Sequence, residues 1–252
     1  MKIAHFILLL MVSSLITLII YYQIDQVEIE IIDDTIIEEQ EVKVITLPDT
    51  KVKIPEFEGE TYQAHFSVNK IDDIIYNRIN NISYKENEII LVEDLRYLKV
   101  SHWGFDGKRH EGELIVHAQI AQEVIDIFKE LYDAEYPIEK IILVDEYEGD
   151  DNLSMTDNNS SAFNYRLIAG SNKLSNHAMG LAIDINPLQN PYVKGNLVSP
   201  EGGIDYIDRS VYQMGMILEN DPCYQAFTSR GWTWGGSWKS IKDYQHFEKA
   251  LD

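Results

Sequence analysis

Two short stretches hold residue types suited to metal-assisted hydrolysis. The first is Ser175-Asn-His-Ala-Met-Gly-Leu-Ala-Ile-Asp184. From Gly180 onward it alternates, which predicts a strand with Gly180, Ala182 and Asp184 on one face and Leu181, Ile183 and Ile185 on the other. The apolar face belongs to a core. The small Gly180 and Ala182 leave an open floor beside Asp184, and His177 stands just before the strand, able to fold over that floor. The second stretch is Asp243-Tyr-Gln-His246-Phe-Glu248. Extended, it sends Phe247 to the core and His246 to the same face as Tyr244. Asp243 reaches that side if the strand starts with a bend.

Two imidazoles and one carboxylate make three N/O ligands. Zinc held by three such ligands keeps a fourth position for water, as a catalytic centre does and a closed structural one does not. Its bound water ionises near neutrality, with a pKa of about 7. A neighbouring carboxylate that does not ligate can take the water's proton and pass it to a leaving amine. Asp243 fits that role. A lone His-x6-Asp pair carries little weight; the joint pattern of residue types, small neighbours and order is specific.

These residues need a scaffold, and the pattern around them predicts an α+β domain: a small antiparallel sheet with flanking helices, carrying the zinc site. Glu88 to Val92 reads as a strand. Glu113 to Tyr132 reads as an amphipathic helix, with Val116, Ile120, Val124, Phe128 and Leu131 at three- and four-residue steps. Lys140 to Asp145 reads as a short buried strand. Arg209 to Leu218 reads as a second helix, stopped before Pro222.

Upstream, the run from Ile3 to Ile24 is almost wholly apolar and about as long as a helix that crosses a bilayer. Lys2 precedes it and Asp25, Glu28, Glu30, Asp33 and Asp34 follow. That charge order predicts an uncleaved signal-anchor over residues 1–24, with the rest of the chain outside the cytoplasm and the protein a single-pass membrane protein. Tyr21-Tyr-Gln-Ile24 offers no small-residue site for the rival reading, a cleaved signal peptide. Residues 25–60 read as an acidic, self-repelling stalk punctuated by Pro48 and Pro55. Residues 61–252 form the domain. With 42 Asp and Glu against 21 Lys and Arg, the net charge is -21, which excludes nucleic acid as a partner. The single cysteine, Cys223, excludes an intrachain disulfide and a multi-cysteine zinc site.

The Ser-x-His-x-x-Gly-x-Ala-x-Asp run followed by Asp-x-x-His resembles the zinc D-Ala-D-Ala peptidase family. That family takes in the vancomycin-resistance D,D-peptidases and the L-alanyl-D-glutamate peptidases of phage endolysins, in a fold group shared with lysostaphin and the hedgehog N-terminal domain. The resemblance runs from about Leu91 to the C-terminus. It includes Gly104-Phe-Asp-Gly107, Gly112-Glu-Leu-Ile-Val116, Tyr136-Pro-Ile138, Asn158 to Arg166, and Gly231 to Trp238. It implies one zinc per chain on His177, Asp184 and His246, with Asp243 as general base. It also implies that Arg166 polarises the scissile carbonyl, that Ser175 contacts substrate, and that Glu248 orients His246 from behind. Ser237 and His117 stand where relatives often carry Asp and Asn, which bears on substrate preference more than on catalysis.

Trp232, Trp234 and Trp238 suit core packing around a glycine-rich turn, or, for Trp234, a wall of the peptide cleft. His102 and His110, flanking Gly104 to Gly107, read as loop histidines with no metal role, His117 as structural, Cys223 as an unreactive thiol, and Asp150, Asp151, Asp157, Asp205 and Asp208 as solvated loop acids. The expectation is a membrane-anchored zinc metallopeptidase acting on peptidoglycan stem peptides, as a D-alanyl-D-alanine carboxypeptidase or, alternatively, an L-alanyl-D-glutamate endopeptidase. A non-catalytic zinc-containing wall-binding module, or a stalked adhesin with incidental histidines, are the readings from other classes.

Overall fold

A computed structural model describes residues 62–251. The predicted anchor and stalk lie outside the described residues, and among those described no helix is long and apolar enough to cross a membrane.

The chain enters on β1 (Phe66–Lys70) and a short helix α1 (Asp73–Ile79), whose first turn is capped by the Asp72 carboxylate accepting from the Ile75 N–H. Two long strands follow, β2 (Leu95–Trp103) and β3 (Arg109–His117), joined by a turn that Gly107 completes at a φ of 70°. The three strands form an antiparallel sheet in the order β1-β2-β3, with Leu95 opposite His117 and Trp103 opposite Arg109. Helix α2 (Ala121–Asp133) lies on one face. There Leu98, Val100, Leu114 and Val116 pack with Val124, Ile127, Phe128 and Leu131. On the other face Leu95, Tyr97 and Ile115 pack with Ile75 and Ile79 of α1 and with Phe163.

The two-sided burial corrects the predicted helix over Glu113 to Tyr132. Glu113 to His117 is strand, and only from Ala121 does the helix run. A strand covered on both faces loses its polar-apolar alternation and shows a continuous Leu114-Ile-Val116 run, which mimics the start of a buried helix. The strand predicted at Glu88 to Val92 is not formed. The Asn87 side-chain oxygen accepts from the Ile89 and Ile90 N–H groups and bends the chain, and a single 3₁₀ turn at Val92–Asp94 leads into β2.

The strand predicted at Lys140 to Asp145 shrinks to β4 (Lys140–Ile141) before a 3₁₀ turn at Val144–Tyr147. The short helix α3 (Asp151–Thr156) comes next, capped by the Asp150 carboxylate. Then β5 (Asn159–Ser160) pairs in parallel with β4. Beyond β6 (Ala182–Asp184) come β7 (Tyr192–Lys194) and β8 (Leu197–Ser199).

The helix predicted at Arg209 to Leu218 is a loop. Gly215 sits at a φ of 83°, and the Arg209 guanidinium spans the loop, donating to the carbonyls of Gln189, Tyr206 and Ile217 and to the Asn190 side chain. Pro222 opens helix α4 (Pro222–Thr228) instead of ending one. It takes the first helical position, behind Asp221, whose carboxylate accepts from the Tyr224 N–H.

The closing strands are β9 (Thr233–Trp234), β10 (Lys242–Asp243) and β11 (His246–Glu248). Strand β11 lies between β6 and β9 in a second antiparallel sheet, and β10 joins β7 and β8 in a third. The α+β expectation of small antiparallel sheets with few helices therefore holds over the described residues. The core of the second sheet is aromatic: the Phe247 and Phe227 rings stack with centroids 4.1 Å apart, and Trp232 meets Phe227 edge-on.

Candidate metal centre

Strand pairing aims the side chains. In the β6-β11 ladder His246 lies directly opposite Asp184, and Phe247 lies opposite Ile183. Cross-strand partners share a face, so His246 and Asp184 rise together on one side while Phe247 and Ile183 enter the core on the other. Asp184 is also bonded at the far edge of β6, where its backbone exchanges hydrogen bonds with Ser161. His177 comes from a single 3₁₀ turn, Asn176–Met179, that ends at Gly180. The Ser175 hydroxyl caps this turn by accepting from the His177 N–H.

The open floor predicted from Gly180 needs correction. Gly180 sits at a φ of 66°, and a Cβ there would lie 2.6 Å from the His117 backbone nitrogen. Its carbonyl accepts the His117 N–H at 2.9 Å. It is glycine because the turn must reverse against the end of β3, and the alternation starts only after it.

The three side chains close a triangle. His177 Nε2 lies 3.2 Å from His246 Nδ1 and 3.3 Å from Asp184 Oδ2, and His246 Nδ1 lies 3.0 Å from Asp184 Oδ1. All three residues are buried, and among the described residues they are the group of His, Cys, Asp and Glu that could hold a metal ion. Bond lengths of about 2.0–2.2 Å from a tetrahedral cation set ligand separations of roughly 3.3–3.6 Å. The triangle is thus close to the size such an ion requires.

Each imidazole is also held from behind. His177 Nδ1 donates to the Ala162 carbonyl at 2.6 Å, which leaves the Nε2 lone pair facing the triangle. His246 Nε2 lies 3.2 Å from the Glu248 carboxylate, which in turn accepts from the Asn176 amide at 2.6 Å. This arrangement, a back nitrogen donating and a front nitrogen free, is how metal-bound histidines are oriented.

The electrostatics point the same way. Burial penalises the His246 cation, yet hydrogen bonds to Asp184 and Glu248 and the charges of Asp184 and Asp243 overcome it and lift the imidazole to about 10. Burial likewise opposes the Asp184 carboxylate, and the two histidines overcome it, holding that acid far below its ordinary range. The pocket therefore calls for positive charge. A proton on His246 supplies it, or a metal ion at the common point does.

Asp243 stands beside the triangle without closing it. Its carboxyl is raised to about 6, first by burial and then by the Asp184 charge, with His246 and His177 pulling the other way. Its Oδ1 is buried and has no hydrogen-bond partner. A buried acceptor without a partner is costly, so the fold alone does not satisfy this oxygen.

Other predicted site residues fall differently. Arg166 is tied by backbone to the same turn, since its carbonyl accepts from the Ser175 N–H at 3.1 Å, but its guanidinium pairs with Asp151 at 2.7 Å. Asp151 is therefore not the solvated loop acid expected from sequence. Trp234, a candidate cleft wall, is buried in the core with its indole N–H donating to the Tyr244 carbonyl at 2.8 Å. The wall role suits Trp238 better: it is half-buried, and its ring centroid lies 5.6 Å from that of His246. Ala162 and Asn176 are further contributors that sequence reasoning missed. One acts through its carbonyl, for which residue type carries no signal; the other is an amide beside a stronger motif.

Residues 169–249 match the family model described as D-alanyl-D-alanine carboxypeptidase, a span that contains all three residues of the triangle and Asp243. No curated protein and no solved structure matches the chain. The family match and the buried triangle together support a metallopeptidase.

Proposed function

We propose that the chain is a zinc-dependent peptidase that hydrolyses peptidoglycan stem peptides, removing the terminal residue as a D-alanyl-D-alanine carboxypeptidase. The observation that carries the reading is the buried His177–Asp184–His246 triangle with the Asp243 carboxyl beside it. The description of the matching family supports the substrate class. Zinc bound there would polarise the scissile carbonyl and acidify a water.

The protein's own groups do the rest. His177 and His246 offer Nε2 and Nδ1 in fixed tautomers because Ala162 and Glu248 hold the opposite nitrogens. Asp243 takes the proton of the attacking water and returns it to the departing amine. A carboxylate that does not itself close the triangle is free for both halves of that transfer. Arg166 offers a guanidinium to the oxygen on which charge develops. Ser175 sets the turn that presents His177, and a substrate contact from its hydroxyl would add to that role. Trp238 forms one wall of the cleft. An anchor through residues 1–24 would hold this domain at the outer face of the cell membrane, next to such substrates.

Full-length protein loaded with zinc and incubated with purified muropeptides tests the reading by mass spectrometry. Loss of a single terminal alanine is expected. Release of L-alanine from D-glutamate would assign the endopeptidase reaction of the same family instead. No product from any muropeptide at one bound zinc per chain would overturn both and leave the wall-binding module.

A further inference from the structure

We infer that Asp151 is a positioning residue for Arg166: through Nη2 it fixes the guanidinium that the peptidase reading assigns to the scissile carbonyl. The inference rests on the peptidase reading above and assigns a partner to the arginine in it.

The segment that carries Arg166 is bonded to the metal-ligand turn along its length. The Ala162 carbonyl accepts from His177 Nδ1, the Asn164 N–H donates to the His177 carbonyl at 3.2 Å, and the Arg166 carbonyl accepts from Ser175. The arginine side chain thus starts beside His177, yet its several rotatable bonds would let the head group wander. Asp151 removes that freedom through its 2.7 Å contact to Nη2, with both side chains largely covered.

The base from which Asp151 acts is itself tied down. Helix α3 begins on the Asp150 cap. The preceding Gly149 carbonyl accepts from the Asn164 side chain at 3.1 Å, which links the helix start to the Arg166 segment. One turn along from Asp151, the Met155 sulfur lies 3.6 Å from the Gln245 amide, and Gln245 lies two residues after Asp243. Helix α3 therefore touches both the arginine and the strand end that carries the acid.

The way the pair is made matters more than its presence. A carboxylate and a guanidinium commonly join through two parallel N–H donors. Here Asp151 takes Nη2, while Arg166 Nε is buried without an acceptor. Asp243 Oδ1 and the Gln245 side-chain oxygen are orphaned in the same way. Three groups linked through α3, one donor and two acceptors, thus lack partners inside the protein.

The test is a double-mutant cycle on the full chain with zinc bound, using muropeptide hydrolysis with kcat and KM resolved, and an ¹⁵N-arginine NMR readout of the Arg166 Nε–H. Asp151→Ala is expected to lower kcat by about tenfold or more with KM little changed, the pattern of an interaction felt mainly in the transition state. Asp151→Glu should recover part of the loss. Asp151→Ala combined with Arg166→Ala should be no slower than Arg166→Ala alone, because one acts through the other. In the spectrum the Arg166 Nε–H should be rigid in the parent protein and mobile in Asp151→Ala, at unchanged zinc content. Independent, multiplying effects in the double variant, or an equally rigid Nε–H without Asp151, would overturn the inference. A rigid Nε–H that loosens in Asp151→Ala, in a protein that cleaves no muropeptide, would leave the positioning intact and sink the peptidase reading alone.

Discussion

Replacing Gly235 with alanine separates catalytic geometry from metal binding. Gly235 lies in the 3₁₀ turn Gly235–Ser237, pressed against Asp243: an added Cβ would meet the Asp243 carbonyl oxygen at 2.6 Å and its Cβ at 2.9 Å. Ordinary contact begins near 3.4 Å, so Asp243 or the turn must yield by about 0.8 Å. The obstacle is backbone, not the flexible end of a side chain, and it cannot simply rotate away. A displacement of that size near the reacting centre costs on the order of 10²-fold in turnover. The candidate ligands His177, Asp184 and His246 belong to other backbone positions in the β6-β11 ladder and its flanking turn, so metal content should stay unchanged. The assay is kcat on muropeptides alongside metal content by elemental analysis and a thermal melt. Gly202→Ala serves as the control, since the first atom its Cβ meets is the mobile Leu188 Cδ1 at 3.1 Å. Parent-like turnover in Gly235→Ala, or a loss of metal that accounts for the slowing, would refute the claim that this glycine exists to seat Asp243.

Three further outcomes are expected. Chelation should lower the melting temperature, because a cation that binds only the folded triangle adds about 2.7 kcal/mol at one hundred times its dissociation constant; an identical melt with and without chelator would count against the centre. Burial of His102 on the β2-β3 hairpin lowers its imidazole from 6.5 to about 4, so the unfolded chain takes up the proton first as pH falls. Its stabilising contribution is therefore complete above about pH 6.5 and shrinks toward pH 4, with about 2 kcal/mol lost between pH 7 and pH 5. Denaturant unfolding of the parent and His102→Gln at those two pH values should show the smaller drop in the variant. Phe227→Ala, which removes the ring stacked on Phe247 behind His246, should destabilise the fold by about 3–5 kcal/mol in the same unfolding assay.

The grouping of the candidate site's side chains was more legible in the sequence than its scaffold. His177, Asp184, His246 and Asp243 announce themselves because ligand chemistry restricts residue type, and β6 and β11 follow from the Phe247 and Ile183 alternation. The scaffold misreadings share a cause. Leu114-Ile-Val116 is buried from both sides, so it carries no period, and Pro222 is as good at opening a helix as at closing one. The Arg209 loop is shaped by contacts to Gln189, Asn190 and Ile217, none of which a local pattern reveals. Asp151 looked solvated for the same reason: its partner Arg166 lies on a different segment. Trp234 and Trp238 share a residue type and a glycine-rich neighbourhood, and only the β9-β11 pairing decides which of them enters the core.

The placement of His246 directly across from Asp184 also bears on how the protein matures. Side-chain direction alternates residue by residue along a strand, so a slip of one position between β6 and β11 would turn either ligand toward the aromatic core and leave a cation with too few donors. An ion captured by these side chains would thus select against misaligned pairings. It can do so only late, since His177 and His246 are separated by 69 positions and the long intervening segment must fold back before they meet. Metal uptake followed in real time during refolding should accordingly trail the burial of the tryptophans, marking the moment at which the last strand clicks into alignment.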